Sequence, residues 1–107
     1  MVTGATGLIG SAITARLVSA GHNVFGLARK VKEAARRWPD ARWRTCDIAQ
    51  VTQSGLWVPY LDKVDAVVNC AGVLQDGPDD STRGVHVDGI SALFAACALI
   101  PMKLFGF

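Results

Sequence analysis

The sequence has few cysteines, and their spacing argues against two classes of small domain. Its 107 residues contain three cysteines, Cys46, Cys70 and Cys97, and no C-x-x-C pair. An odd number of separated cysteines is typical neither of a disulfide scaffold nor of a zinc site. Each cysteine lies in an apolar stretch, so we expect reduced, buried thiols, no bound metal and a cytoplasmic protein.

Long apolar runs, a basic leader and a strong net charge are also missing. The longest apolar run, residues 92–102, is well short of the roughly 20 residues that a membrane-spanning helix needs. The first residues lack the basic segment that opens a signal peptide. The net charge is only +2, which does not predict nucleic-acid binding. We therefore expect neither a membrane nor a nucleic acid as a partner.

What is present is the alternation typical of an α/β domain. Half of the residues are hydrophobic and 19% are charged, as in one small globular domain. Right-handed crossovers between the apolar runs give a parallel sheet of order 3-2-1-4, a partial Rossmann-type doubly wound fold. The predicted strands are residues 1–3, 23–28, 42–48 and 65–70, and the predicted helices are 8–20, 31–38 and 79–100. Residues 51–61 stay unassigned, because Gly55 and Pro59 interrupt any long helix.

Apolar spacing also predicts which helix faces are buried. In residues 8–20, Ile9, Ile13 and Leu17 recur every four residues, which is the spacing of one helix face. In the last helix, the apolar residues expected on one broad face are Val85, Ile90, Leu93, Phe94 and Cys97. We expect both faces to pack against the sheet.

A glycine-rich turn lies between the first predicted strand and the first predicted helix. Gly4, Gly7 and Gly10 are spaced G-x-x-G-x-x-G, which allows a sharp turn, a close approach of backbone N–H groups to a pyrophosphate, and tight helix packing. The helix N-terminus adds unpaired donors and a partial positive charge. The turn, with Thr6, Leu8 and Ile9, therefore predicts a dinucleotide site. The alternative is a glycine turn without a ligand.

The residues after the second strand bear on which dinucleotide is bound. No aspartate or glutamate precedes Glu33, and Arg29 and Lys30 directly follow the second predicted strand. A carboxylate in this region would bind the ribose 2′-hydroxyl of NAD, whereas an arginine suits the 2′-phosphate of NADP. The sequence favours NADP, with NAD second. In the alternative interpretation, Arg29 and Lys30 are the solvated start of a helix.

Four segments together resemble the short-chain dehydrogenase/reductase superfamily in its extended, epimerase/dehydratase-like branch. Residues 3–10 resemble its T-G-A-T-G-F-I-G turn, and residues 46–48 its Asp-aliphatic pair after the third strand. Residues 68–72 resemble its fourth-strand segment, and residues 85–90 its N-V-x-G-T helix start. The resemblance covers residues 2–99.

The resemblance implies further site residues and an activity. Asp47 and Ile48 would flank the adenine, and Asn69, Ala71 and Gly72 would line the path of the nicotinamide and its ribose. Members of the superfamily move a hydride between the nicotinamide and a carbonyl or alcohol carbon.

The catalytic pair of that superfamily, Tyr-x-x-x-Lys, is missing. The sole tyrosine is Tyr60, and Val64 stands where the lysine would be, with Lys63 one residue earlier. The segment also precedes the fourth strand, so we expect Tyr60 to be a packing residue. His86 replaces the usual asparagine, and a lone histidine is more often structural. No catalytic residue is assigned.

The resemblance stops near residue 100, and the apolar stretch 101–107 is expected to be a tail outside the family. We expect residues 1–100 to be a truncated NAD(P)-binding domain with an open sheet edge, which a second copy or a partner chain would cover. Three functions stay open. They are the cofactor half of an oxidoreductase or epimerase, a non-catalytic NADP-binding or redox-sensing module, and an inert fragment.

Two charged clusters have simpler interpretations than a binding site. The arginines at positions 36, 37, 42 and 44 alternate with Trp38 and Trp43, which could form a nucleic-acid patch. We favour a solvated helix end with tryptophans that shield the sheet edge. Asp76, Asp79 and Asp80 form an acidic loop, in which a helix cap is expected and a metal site is not.

Overall fold

The computed structural model describes residues 1–71, 88–100 and 102–106. Its strands are β1 (Val2–Thr3), β2 (Phe25–Ala28), β3 (Arg42–Thr45), β4 (Ala66–Asn69) and β5 (Lys103–Gly106). Its helices are α1 (Leu8–Ser19), α2 (Lys32–Arg37), α3 (Ser54–Leu61) and α4 (Ile90–Leu99), with a 3₁₀ turn at Ile48–Gln50. The predictions for Gly72, His86 and the acidic loop lie outside the described residues.

All five strands form one parallel sheet in the order β3-β2-β1-β4-β5. The predicted order of the first four strands is therefore confirmed. β1 has two residues, yet it lies at the centre: Val2 pairs with Gly26 and Val68, and Thr3 pairs with Leu27 and Asn69. A short strand suffices here because neighbouring strands pair with it on both sides.

Strand alternation divides the core into two layers. Val2 belongs to one buried cluster, against which Val68 of β4 and Ile13 and Leu17 of α1 pack. The residues beside them in sequence face the other way, since successive side chains of a strand point to opposite faces. Met1 and Val67 thus belong to a second cluster, together with Leu27 of β2, Trp57 of α3 and Leu93 of α4.

The buried face of α1 differs from the predicted one. Gly10 and Thr14 are buried, Ile13 and Leu17 are partly buried, and Ile9 is 42% exposed. The reason is the contact of Gly10 with the turn: a Cβ on Gly10 would collide with the Gly4 carbonyl. That close packing directs the face of Gly10 and Thr14, rather than that of Ile9, toward the sheet.

Three other predictions were wrong or incomplete. β3 ends at Thr45, not at residue 48, because the chain bends into the 3₁₀ turn, where Asp47 accepts a hydrogen bond from the Ala49 N–H. The unassigned region contains α3, which includes Pro59 and is anchored by buried Trp57. On α4, Ile90, Leu93 and Cys97 are buried as predicted, whereas Phe94 is 45% exposed because it lies on the outer face.

The fifth strand lies in the stretch for which the sequence predicted no strand. Residues Lys103–Gly106 pair in parallel with Ala66–Asn69, and all four are exposed. The sequence signal is weak because a strand of this length is recognised mainly through its pairing with β4. Among the described strands, the outermost one on this side of the sheet is therefore β5 and not β4. Among the described residues, no helix is long and apolar enough to cross a membrane.

Candidate functional site

The glycine turn after β1 packs directly against the chain that leaves β4. Gly4 has a φ of +62°, in the left-handed region that favours glycine. A Cβ on Gly4 would lie 2.7 Å from the Ala71 nitrogen and 2.7 Å from the Cys70 oxygen. The turn is closed by a hydrogen bond from the Gly7 N–H to the Gly4 carbonyl at 3.1 Å. The absence of a side chain at Gly4 is thus what lets the two segments meet.

The N-terminus of α1 has no side-chain cap. Gly7 is the N-cap residue, its backbone is extended, and the first turn of the helix contains no acidic residue. The first N–H groups of a helix have no intrahelical partner, and together with the helix dipole they favour an anion. Thr6 is exposed beside them, and Leu8 is 89% exposed. The helix therefore presents N–H donors that have no partner within the helix, at the same place as the glycine turn.

A buried hydrogen bond ties the ends of β1 and β4 together. The Thr3 hydroxyl donates to Asn69 Oδ1 at 2.6 Å, and the Ala71 N–H donates to the same oxygen at 3.3 Å. Both side chains are nearly inaccessible to solvent. The bond fixes Ala71 against Gly4 at the point where the strand order reverses, which is the usual ligand position in such sheets. Sequence reasoning missed Thr3, whose role depends on its register with Asn69.

The other predicted residues follow the ends of the two neighbouring strands. Arg29 comes directly after β2 and is exposed. The Cys46 N–H donates to the Ala28 carbonyl at 2.8 Å, so the chain after β3 leaves the sheet beside the end of β2. Asp47 is exposed there, and Ile48 is buried. The structure therefore brings Arg29 and Asp47 to the same edge of the sheet as the glycine turn.

Trp57 is a residue of this region that the sequence did not reveal. Its indole N–H donates to the Val51 carbonyl at 3.1 Å and to the Gly89 carbonyl at 3.2 Å. Gly89 lies so close to Ile48 that a Cβ on it would collide with the Ile48 carbonyl. Trp57 thus connects the segment after β3 with the start of α4. Its position in an unassigned stretch gave no sequence signal for these contacts.

Tyr60 is half-buried on α3 and lies among packing residues. Its ring centroid is 5.6 Å from that of Trp57. Burial first, and then the neighbouring Cys46 thiol, raise the pKa of Tyr60 above its usual value. A raised pKa opposes formation of the phenolate that a catalytic tyrosine of this chemistry needs. The surroundings of Tyr60 favour the packing role.

The tryptophans beside β3 shield the sheet. The Trp43 ring fills the space over Gly26, whose Cβ would lie 2.6 Å from that ring. Its indole N–H donates to the Trp38 carbonyl at 3.0 Å, and the Trp38 and Trp43 ring centroids are 6.2 Å apart. The Arg37 guanidinium lies 5.0 Å from the Trp38 ring centroid. These packing contacts favour the interpretation in which the tryptophans shield the sheet edge.

The three cysteines are free thiols. Cys46 and Cys97 are buried, and Cys70 is partly exposed. Burial raises the pKa of all three thiols, which lowers their reactivity at neutral pH. In the part of the chain that the structure describes, no group of three or more histidine, cysteine or carboxylate side chains could hold a metal ion.

Comparison with known families decides what kind of protein carries this turn. The family described as "NAD dependent epimerase/dehydratase family" matches residues 1–105. The chain belongs to this family. The resemblance to the extended short-chain dehydrogenase/reductases is confirmed, and the match includes most of β5.

Curated relatives of this epimerase/dehydratase chain are much longer proteins. The NAD-dependent epimerase/dehydratase terH of Aspergillus terreus is 33% identical over 86 residues, which cover 74% of this chain and 25% of terH. The uncharacterized protein Rv2047c of Mycobacterium tuberculosis is 35% identical over 98 residues, which cover 91% of this chain and 10% of that protein. The chain thus spans a quarter or less of the length of these relatives.

Solved structures show the same architecture. The Bordetella bronchiseptica enzyme WbmH, crystallised in complex with NAD+, matches with a TM-score of 0.70 and 27% identity, over 90% of this chain and 33% of WbmH. A short-chain dehydrogenase from Streptomyces avermitilis matches with a TM-score of 0.70 and 22% identity, over 98% of this chain and 47% of that protein. These likenesses confirm the Rossmann-type α/β fold.

Proposed function

We propose that this epimerase/dehydratase-family chain binds NADP along the carboxyl ends of its strands. The observation that carries the proposal is the glycine cradle: Gly4 meets Ala71 with no room for a Cβ, beside the uncapped N-terminus of α1. Such a cradle fits a pyrophosphate, because backbone N–H groups can approach its oxygens closely. The residues assigned to the site are Gly4, Thr6, Gly7, Leu8, Ile9, Gly10, Arg29, Asp47, Ile48, Asn69, Ala71 and Gly72.

The choice of NADP over NAD depends on Arg29. This guanidinium is exposed just after β2, and no carboxylate precedes Glu33 in the sequence. An arginine can pair with a 2′-phosphate through two parallel hydrogen bonds, whereas a carboxylate there would repel it. Lys30, also exposed, adds a second positive charge. Both features support a phosphorylated ribose.

The chain's own residues would hold and orient the cofactor. The bound nicotinamide ring supplies the position that gains or loses a hydride. Asn69, fixed by Thr3, keeps the chain after β4 beside the turn, where the nicotinamide ribose would lie. The sequence has no Tyr-x-x-x-Lys pair to exchange a proton with a substrate. We infer that the chain binds the cofactor and, by itself, does not turn over a substrate.

A non-catalytic NADP-binding or redox-sensing module is the second candidate function. The absence of the catalytic pair favours it for the chain alone. The exposed β5 supports a related proposal, in which a second copy or a partner chain covers this edge of the sheet. The free thiols support a reducing, cytoplasmic setting.

Titration of the purified chain with NADPH and NADH, followed by nicotinamide fluorescence, tests the proposal. We expect saturable binding of both, with NADPH tighter. An Arg29→Ala variant should raise the Kd of NADPH about tenfold, as expected for the loss of one charge-assisted contact, and leave the Kd of NADH unchanged. Lys32→Ala is a matched control, because this lysine is also exposed and lies three residues further on.

Each outcome bears on a different part of the proposal. Absence of binding of either nucleotide would overturn the cofactor site and favour an inert fragment. Tighter binding of NADH than of NADPH would overturn the proposed role of Arg29. Turnover of an alcohol or carbonyl substrate by the isolated chain would overturn the non-catalytic interpretation.

A further inference from the structure

The indole of Trp57 joins three segments on one face of the sheet. It belongs to α3, it is completely buried, and its single N–H is shared between the Val51 carbonyl at 3.1 Å and the Gly89 carbonyl at 3.2 Å. Val51 closes the 3₁₀ turn that follows β3, and Gly89 is the N-cap of α4. One donor thus satisfies two buried carbonyls from segments that are far apart in the sequence.

The segment that Trp57 holds is the proposed adenine side of the site. Its local bonds are short-range: Asp47 accepts from the Ala49 N–H at 3.2 Å, and the Val51 N–H donates to the Ile48 carbonyl at 3.0 Å. These bonds shape the turn but do not fix its position over the sheet. The Cys46 N–H, bonded to the Ala28 carbonyl, fixes the start of the segment, and the buried side chains of Ile48 and Val51 pack into the core. The contacts that join the segment to α4 are those of Trp57 and of Gly89, which lacks a side chain where Ile48 approaches it.

We propose that Trp57 is a positioning residue for the adenine subsite. Its N–H holds residues 47–51 against the start of α4. Asp47 and Ile48 are thereby kept in position beside the place where an adenine ring would lie. The inference rests on the proposed cofactor site. It adds that the adenine end depends on a group of α3, whereas the pyrophosphate end depends on the glycine turn.

The matched pair Trp57→Phe and Trp43→Phe separates this role from general packing. Each variant keeps an aromatic ring and removes one indole N–H, but Trp43 donates to the Trp38 carbonyl and packs against the other core cluster. We expect Trp57→Phe to raise the Kd of 2′,5′-ADP about tenfold, and Trp43→Phe to change it less than about twofold. The response of the glycine-turn amides to inorganic pyrophosphate, followed by NMR, should be the same in both variants.

A measurement on the unaltered chain keeps the inference testable if Trp57→Phe does not fold. The indole N–H resonance of Trp57 in ¹⁵N-labelled protein should shift with 2′,5′-ADP and stay in place with inorganic pyrophosphate. An unmoved Trp57 resonance at saturating 2′,5′-ADP, or equal effects of the two variants on its Kd, would overturn the inference and leave the cofactor site intact. Absence of 2′,5′-ADP binding by the unaltered chain would overturn both.

Discussion

Two glycines with positive φ angles differ in what surrounds them. Gly4 has a φ of +62° and lies against the backbone of Cys70 and Ala71. Gly21, after α1, has a φ of +88°, and no described atom lies within 4 Å of the place that a Cβ would take. A side chain at either position meets the backbone penalty of the left-handed region, about 1–2 kcal/mol. At Gly4 alone it would also push apart the two segments that form the proposed site.

Substitution of these two glycines by alanine separates the backbone penalty from the close contact. We expect Gly21→Ala to lower the free energy of unfolding by about 1 kcal/mol and to leave NADPH binding unchanged. Gly4→Ala should lower the free energy of unfolding more than Gly21→Ala does, and it should weaken NADPH binding at least about tenfold. Urea unfolding and fluorescence titration measure the two effects. Equal losses in both variants would contradict the role of the Gly4–Ala71 contact.

Thr14 of α1 carries a buried hydroxyl for which the described part of the chain offers no hydrogen-bond partner. Its side chain is completely inaccessible to solvent, and its Oγ1 makes no hydrogen bond among the described residues. A buried hydroxyl without a partner costs about 1–3 kcal/mol. Valine has nearly the same shape and no polar atom, so Thr14→Val should raise the free energy of unfolding by about 1 kcal/mol.

The serine variant is the control for Thr14. Thr14→Ser keeps the hydroxyl and removes a methyl group, so it should lower the free energy of unfolding by about 1 kcal/mol. Both variants are compared with the unaltered chain by urea unfolding. A destabilised valine variant would mean that the hydroxyl has a bonding partner, and the argument from burial would be wrong.

At the scale of elements, the two edges of the sheet are protected to different degrees. Arg42 and Arg44 of the outer strand β3 place their guanidinium groups over the ring of Phe25 on β2, at 5.7 Å and 4.9 Å from its centroid. Charged side chains on an edge strand discourage pairing with another chain. β5 instead exposes Leu104 and Phe105, which point to opposite faces of the strand. Of the two outer strands that the structure describes, β5 is therefore the one with less protection against pairing.

A charge on β5 should reduce self-association. Phe105→Lys places a positive charge on the exposed edge, and because Phe105 is 50% exposed, we expect a change in stability within about 0.5 kcal/mol. Phe94→Lys is the control, since Phe94 is 45% exposed on a helix with no unpaired strand backbone. Sedimentation over a range of concentrations should show less association for Phe105→Lys than for Phe94→Lys. A chain that is monomeric throughout would contradict the open-edge argument.

The elements that the sequence predicts are those with a local signal. The helix α1 and the strands β2 and β4 follow from apolar spacing and from Gly21, whose φ of +88° suits the position after a helix. β5 has no such signal, because its four residues become a strand only through pairing with β4. α3 contains Pro59, which argues locally against a helix, and it is stabilised by the burial of Trp57.

At the scale of the whole molecule, the candidate site follows from the topology more than from any one motif. The parallel order, whose first four strands the sequence predicts, places the chain after β1, β2, β3 and β4 at one edge of the sheet. Contacts that depend on three-dimensional register could not be predicted. Examples are the Thr3–Asn69 hydrogen bond and the two bonds of Trp57. Binding at these residues remains a prediction that the titrations test.

Buried titratable groups give the stability of the whole chain a dependence on pH. The Met1 ammonium donates to the Ala66 carbonyl at 2.9 Å, and burial lowers the pKa of this amine below 8.0. The unfolded chain then binds more protons, so stability rises with pH up to about 8. Burial raises the pKa of the thiols Cys46, Cys70 and Cys97 above 9.0. Above about pH 9 the unfolded chain releases these protons first, so stability falls.

The two opposite contributions predict a stability maximum between about pH 8 and pH 9. Thermal unfolding from pH 7 to pH 10.5 should show the maximum, and each limb has its own control. Acetylation of the Met1 amine should remove the rise below pH 8, because the group no longer titrates. Replacement of the three cysteines by alanine should flatten the fall between about pH 9 and pH 10. Above about pH 10 the raised pKa of Tyr60 adds a fall of the same sign, which this replacement leaves in place. If both limbs persist in the modified chains, other groups control the pH dependence, and the burial of these four groups does not explain it.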